Sequence, residues 1–361
     1  MLPRHDVACV IHLHSRYSDG TGTVAEIAKA AARAGADAVL LTDHDTLEAR
    51  RRGEEGWYGD VLVCVGHEIS PKGRDHFLAF GLDEEIDHRH RTAHEVVRAV
   101  SEAGGFGFLA HPFSRGNARF ARVKDVGPGI PWRDLDVDGY IGIEVWSFLT
   151  DGAEQLRSFA DVVRFIARPE RFLDHPPAGN LEGWDRLCAQ RPVVGIGGLD
   201  AHQFGVRLFG RVPLRLMGYA RSFRLLRTHC LPDRPFEGDA ARDAEAIYAA
   251  LRSGRCYLAV DALAPARGFA YWGDGRAAVA MGEEIAGAEG LVLHARVPRP
   301  ATLTLLRDGT AVARAHGVAL DQPVAAPGAH RVQATLASNG RERTWIISNP
   351  IYVRSGAGGG A

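Results

Sequence analysis

Val7-Ala8-Cys9-Val10-Ile11-His12-Leu13-His14 begins with five apolar residues and closes on two imidazoles around a leucine. A continuous apolar run without alternation is what a parallel strand buried on both faces requires. Polar ionisable groups at the end of such a run belong to the rim of a sheet, where ligands approach. Residues two apart on an extended strand share a face, so His12 and His14 are expected to point together and to reach one cation.

The arrangement recurs along the chain. Further apolar runs are Ala38 to Thr42, Val61 to Gly66, His76 to Gly81, Phe106 to Ala110, Tyr140 to Trp146 and Pro192 to Gly198. Helical patterns lie between them. Thr23-Val24-Ala25-Glu26 and Thr92-Ala93-His94-Glu95 fit the capping box, and Gly35 and Gly104 are placed to end the helices that follow. Strand, helix and strand at this spacing make the βα unit of a parallel sheet or barrel, and seven such runs predict a distorted barrel.

Most of the runs meet a metal-seeking residue. Ser18-Asp19-Gly20 follows the first, and Thr42-Asp43-His44-Asp45-Thr46 ends the second, with His44 the expected ligand and Asp43 and Asp45 expected to orient rings. Glu68 closes the third and could bridge two cations, while the adjacent His67 is expected on the opposite face. His76 begins the fourth run instead of ending it, which makes it the odd member. His111 closes the fifth before Pro112, which forces the chain out of regular pairing. Asp200-Ala201-His202 closes the seventh, and Glu144 near the end of the sixth is expected to be buried and paired. His-x-His alone is common; six such coincidences in strand order are not. Imidazole and carboxylate donors without thiolate suit Mn²⁺, Zn²⁺ or Fe²⁺.

These residues resemble the ordered motifs of the polymerase and histidinol phosphatase (PHP) superfamily of metal-dependent phosphoesterases, over roughly residues 7–205. The resemblance implies an α/β fold, a distorted (β/α)7 barrel, with two or three divalent ions at the C-terminal ends of its strands. It implies that His12, His14, Glu68 and Asp200 hold one ion, Glu68, His76 and His111 a second, and Asp19, His44 and His202 a third. Asp19, His44, Glu68 and His202 are assigned catalytic parts, through water made acidic by the cations. The C-terminal Trp345-Ile346-Ile347-Ser348-Asn349-Pro350-Ile351-Tyr352-Val353 is similar to the end of longer members that carry an added β-domain.

Beyond about Ala262 the texture becomes that of antiparallel strands. Thr302 to Leu306 and Ala311 to Ala313 flank Asp308-Gly309, a hairpin signal. Strands are also expected at Leu291 to Val297, His330 to Leu336 and Thr344 to Val353. The expected organisation is a hydrolase barrel over 1–262, a small antiparallel β-sandwich over 263–354 and a flexible tail over 355–361. A last barrel helix is expected from Asp243 to Ser253. The long connections 113–138 and 147–191 are expected to wall the substrate site.

A net charge of −1 offers no global field for nucleic acid or an anionic membrane, so an anionic substrate must be held locally. Arg16, Arg115, Arg119 and Arg207 are placed for this, with Arg16, Arg115 and Arg207 the chosen substrate contacts. The bland alternative for each is a solvated surface arginine. Five scattered cysteines read as reduced buried thiols. No apolar run reaches the roughly 18 residues of a membrane span, and no leader precedes the first strand, so a cytoplasmic enzyme with a small-molecule substrate is expected.

Three functions fit these features. The first is a phosphoesterase acting on a nucleotide, a sugar phosphate or an oligonucleotide end. The second keeps the cations but cleaves a carbamate, ester or amide, with Trp132, Trp146, Phe148 or Phe204 forming an apolar pocket. The third is a non-catalytic metal-stabilised module, disfavoured because every expected ligand type is present.

Overall fold

The computed structural model describes residues 5–120, 129–208, 212–338 and 340–355. The chain is mixed α/β. Its first strand is β1 (Val7–Ile11), followed by α1 (Val24–Ala34), β2 (Ala38–His44), β3 (Val61–Ile69), β4 (Phe77–Phe80), α2 (Ala93–Glu102), β5 (Phe106–Leu109) and β6 (Gly142–Ser147). Three helices come next, α3 (Phe148–Glu154), α4 (Phe159–Ala167) and α5 (Ala178–Gln190), and then β7 (Val194–Gly198). The seven apolar runs are these seven strands, and all of their residues but His44 are buried.

Pairing runs β1 to β2 to β3 in parallel, then β3 to β4 to β5 antiparallel, then β5 to β6 to β7 in parallel. A parallel bridge between Leu13 and Ala201 joins the chain beyond β7 to the chain beyond β1, so the order returns to its start. Strand β4 alone runs against the others. Its beginning therefore lies at the same end as the termini of its neighbours, which is why His76 leads its run. α-Helices do not follow every strand: the 3-10 turn Pro71–Gly73 is the helical element between β3 and β4, and the connection from β5 to β6 likewise carries a single 3-10 turn among its described residues.

Local chemistry accounts for the helix ends. Thr23 and Glu26, and likewise Thr92 and Glu95, satisfy each other's terminal amides, and Gly35 adopts φ 74° after α1. The helix expected from Asp243 starts earlier, as α6 (Ala240–Arg252), because the Asp239 side chain accepts from Arg242 N.

Two further strands flank α6: β8 (Leu226–Cys230) and β9 (Cys256–Val260). β8 pairs antiparallel with the start of β1, and its Thr228 hydroxyl lies 2.9 Å from both Gly197 N and Gly197 O of β7. The C-terminal strands β10 (Val292–Arg307), β11 (Thr310–Pro323), β12 (Gly328–Ser338) and β13 (Arg341–Ser348) are antiparallel neighbours. β10 is one strand where two were expected, with its pairing shifted between Arg296 and Ala301 around Pro298 and Pro300. The hairpin turn at Asp308-Gly309 is present, both residues at positive φ. β13 pairs antiparallel with β9, which continues the large sheet into the C-terminal strands.

Asn349 fastens this junction. Its Nδ2 donates to Gly195 O at 3.0 Å and Cys256 O at 2.8 Å, and its Oδ1 accepts from Gly195 N at 2.7 Å. All five cysteines are buried and free. No helix among the described residues is long and apolar enough to cross a membrane.

Asn349→Ala leaves buried groups of Gly195 and Cys256 unpaired. It should cost about 1–3 kcal/mol, read as a lower urea midpoint with little change of slope. A second test concerns His229 of β8, buried with Nδ1 2.6 Å from Asp6 and Nε2 3.2 Å from Asp261. Burial opposes its protonation, but the two carboxylates outweigh burial and hold it above its ordinary value. The charged ring contributes fully below pH of about 6.5, and the contribution fades as pH rises through the folded value. His229→Gln should therefore lower Tm more at pH 6 than at pH 9, measured by calorimetry.

Candidate metal centre

The nine residues expected as ligands come together at one end of the strands. Their backbones are less regular than the extended geometry expected of them. β1 ends at Ile11, and His12 sits at φ 62°; β7 ends at Gly198, and Asp200 sits at φ 51°; His111 has φ 31°. Left-handed conformations cost non-glycine residues energy and persist where surroundings fix them. His12 and His14 do converge, but through this local turn and not through strand alternation. The Leu13–Ala201 bridge holds the turn, with His14 N donating to Ala201 O at 2.9 Å.

Glu68, 1% exposed, is the hub. Its Oε2 lies 3.1 Å from His12 Nε2, 3.3 Å from His14 Nε2 and 3.4 Å from His44 Nδ1. Its Oε1 lies 2.7 Å from His76 Nδ1 and 3.5 Å from His111 Nε2. Asp200 Oδ1 is 3.4 Å from His12 Nε2 and 3.3 Å from His14 Nε2, so four donors face a common point. A tetrahedral site with bonds of about 2.0 Å has edges of about 3.3 Å, which these separations match. Asp19 Oδ1 lies 3.2 Å from His202 Nε2, with His14 and His44 each 3.8 Å from the same carboxylate.

Three overlapping sets have donor atoms within 4.8 Å of one another: His12, His14, Glu68 and Asp200; His44, Glu68 and His76; and His14, Asp19, His44 and His202. The first is the expected set. His44 takes the place expected of His111 beside Glu68 and His76, and His14 joins the Asp19 set. His14 Nδ1, His14 Nε2 and His202 Nε2 are buried without a hydrogen-bond partner, which a cation would remedy. The residues thus fit divalent ions.

Neighbouring groups fix the ring faces. Glu144, fully buried, takes His12 Nδ1 at 2.9 Å on one oxygen and accepts from His111 N at 2.9 Å on the other. Accepting from Nδ1–H leaves the His12 Nε2 lone pair toward Glu68 and Asp200. His202 Nδ1 donates to the Asp200 carbonyl at 2.9 Å, which leaves Nε2 toward Asp19. The sequence left Glu144 a part in supporting ligands or touching substrate and favoured a buried, paired structural one; it is buried and paired, and its partners are His12 and His111. Asp43 orients no ring: it accepts from Ser15 N, Ser15 Oγ and Ser18 Oγ at 2.6–2.7 Å and so shapes the loop bearing Asp19. Asp45 accepts from Ser70 N, and Ser70 Oγ is 3.3 Å from His44 Nδ1. His67 is buried, and burial lowers it to about 4.

A pocket opens over Glu68, His44, His76, His111, Asp200 and His202. Ser114, Gly116 and Ile130 of the 113–138 connection and Thr150 and Ala153 of α3 complete its lining, so both long connections contribute walls. Arg16 is exposed with its guanidinium 5.3 Å from the Tyr17 ring. Arg115 is exposed and packs beside Gly179. Arg119 is exposed on a 3-10 turn, and neither it nor Arg16 nor Arg115 lines the pocket. Arg207 lies in the strand Gly205–Leu208, and its side chain is outside the described part of the structure. Trp132, Trp146 and Phe148 are buried in the core, whereas Phe204 stacks on His202 with centroids 5.6 Å apart.

An α/β chain that gathers three overlapping histidine-carboxylate sets at one sheet end belongs to the class of proteins with a candidate multi-cation centre. Residues 11–161 match the model of the PHP domain family. An uncharacterized protein of Methanocaldococcus jannaschii is 28% identical over 144 residues, spanning 36% of this chain and 77% of that one. Among solved structures, a two-domain protein of Bacteroides vulgatus containing a predicted PHP-like metal-dependent phosphoesterase aligns with TM-score 0.44 and 16% identity, over 95% of both chains. A candidate metal-dependent phosphoesterase of Bifidobacterium adolescentis aligns with TM-score 0.34 and 18% identity, over 56% of this chain and 89% of that one.

The charges predict how cations are taken up. Burial opposes protonation of His14, yet Asp200 and Glu68 push it up to about 9, whereas burial pulls His44 down to about 4. Burial also favours neutral Glu68, but His12, His44 and His76 hold it well below its ordinary value. Without cations His14 carries a proton at pH 7, and a cation requires the neutral ring. Loading with Zn²⁺ at pH 7 should release at least about one proton, seen as calorimetric heats that depend on buffer ionisation enthalpy. Apparent affinity should fall as pH drops below about 9; heats independent of the buffer would contradict this.

Proposed function

We propose that the protein is a metal-dependent phosphoesterase working at a di- or trinuclear centre of Mn²⁺, Zn²⁺ or Fe²⁺. We read the seven-strand ring as a distorted (β/α)7 barrel over residues 1–262, and the strands of 263–354 as a second, β-sandwich unit. The observation that carries the function is Glu68: its two oxygens face different histidine sets, as a carboxylate bridging two cations does. Divalent ions held there would supply a nucleophile from water at neutral pH and neutralise charge on a phosphoryl group.

The protein's own groups do the rest. Glu68 and Asp200 anchor the interior donor set, and Glu144 keeps the His12 ring from turning away from it. Asp19, His44 and His202 form the set around the Asp19 carboxylate, where they meet the reacting end of the substrate. Thr150 donates to Asp200 Oδ2 at 3.2 Å, which leaves Oδ1 facing His12 and His14. The pocket walls at Ser114, Gly116 and Thr150 present small polar groups, a surface suited to a compact ester head. Arg16 and Arg115, which lie outside the pocket lining, and Arg207 are assigned to the outer, anionic part of the substrate.

Protein loaded with Mn²⁺ should hydrolyse p-nitrophenyl phosphate and leave a naphthyl carbamate untouched; turnover of the carbamate alone would reverse the assignment. His202→Ala should lower kcat on the phosphoester by about 100-fold or more, since even loss of a group that only orients a ligand costs about 10–100-fold. Its Tm measured without cations should stay within a few degrees of wild type.

A further inference from the structure

Tyr219 lies outside every motif of the metal centre, in the short helical turn Tyr219–Ser222 that follows the antiparallel strands Gly205–Leu208 and Val212–Arg215. Its ring is buried, 2% exposed. The hydroxyl donates to His14 O at 2.6 Å, and His202 O lies 3.1 Å away. The same oxygen accepts from Thr21 N and Gly22 N, both at 3.3 Å. One phenol thus joins the segment carrying His14, the loop carrying Asp19 and the segment carrying His202.

The surroundings are shaped to admit it. A Cβ on Gly22 would sit 2.5 Å from Tyr219 Cε2, and one on Gly20 would sit 2.1 Å from His14 O and 2.8 Å from the hydroxyl. Glycine at both positions lets the Asp19 loop close onto the ring. Thr21 reinforces the clamp: its N donates to His202 O at 3.2 Å and its hydroxyl to Gln203 O at 2.5 Å. Above the clamp, the His14 and His202 rings stack with centroids 4.2 Å apart, and Asp19 Oδ1 is 3.2 Å from His202 Nε2.

We infer that Tyr219 is a positioning residue for the His14, Asp19, His44 and His202 set, fixing through backbone carbonyls and amides the mutual placement of three of its four ligands. This rests on the metal reading above. The hydroxyl's bonds to His14, Thr21, Gly22 and His202 converge on this set, so its loss is expected to be felt selectively there.

The test is Tyr219→Phe in the full chain, titrated with Zn²⁺ and, separately, with Co²⁺ followed by visible absorption, beside wild type and His202→Ala. Wild type should take up at least two ions. Tyr219→Phe should weaken one of them by about 10–100-fold, the same ion that His202→Ala loses, and keep the other at wild-type affinity. The Co²⁺ bands assigned to that ion by the His202→Ala difference should be the ones that fade. Unchanged affinities and spectra in Tyr219→Phe would overturn the inference, as would equal weakening of all ions together with a large fall in Tm. Should the phenylalanine variant not fold, Thr21→Val, which removes the two bonds between the Thr21 hydroxyl and Gln203 in the same clamp, carries the same expectation and the same refutation. Wild-type protein that takes up no ion would overturn the metal reading along with this one, whereas normal wild-type uptake with an unaltered variant overturns this one alone.

Discussion

A carboxylate buried at the meeting point of the strands governs this structure. Taking Glu68 out of water costs several kcal/mol or more unless opposite charge and hydrogen bonds surround it, and five imidazoles do so. Those imidazoles must come from different strands, because no single element can present five rings around one carboxyl group. Seven strands meet that demand, and the parallel bridge between Leu13 and Ala201 brings the chain beyond the first of them beside the chain beyond the last. Protons and cations then compete for the same interior: the acids that raise His12 and His14 would equally draw in divalent ions.

The strain in the backbone follows from the same constraint. His12, His111 and Asp200 take up positive φ where their strands end. Each is held by neighbours that do no coordinating: Glu144 at His12 and His111, the Ala201 amide at His12 O, and Thr150 at Asp200. The scaffold therefore spends local conformational energy to aim these side chains, a common trade at functional sites. At the other end of the strands, Asn349 and the Asp6–His229–Asp261 group satisfy the buried polar atoms where the C-terminal strands join.

Much of this was legible in the sequence because it is local. Continuous apolar runs marked all seven strands, capping boxes marked the starts of α1 and α2, and the residues at the run ends are those that converge on Glu68. Non-local features were not legible. The reversal of β4 leaves no mark on Phe77-Leu78-Ala79-Phe80, so His76 looked misplaced when it was not. The left-handed turns at His12 and Asp200 are set by the Leu13–Ala201 bridge, 188 residues apart in sequence, and alternation alone suggested straight strands. Glu144, Tyr219 and Asp43 work through partners distant in sequence, and residue type at one position does not name its partner. The arginines show the opposite failing: proximity in sequence to the motifs did not bring Arg16 or Arg115 into the pocket lining.

The central claim is that Glu68 spans two cations, one on each oxygen. Crystals of the full chain equilibrated with Mn²⁺ and phosphate, measured at the manganese absorption edge, test it most directly. The expected result is one anomalous peak among His12, His14, Asp200 and Glu68 Oε2, and a second beside Glu68 Oε1 next to His76. A single peak, or peaks that all contact the same oxygen of Glu68, would contradict the account.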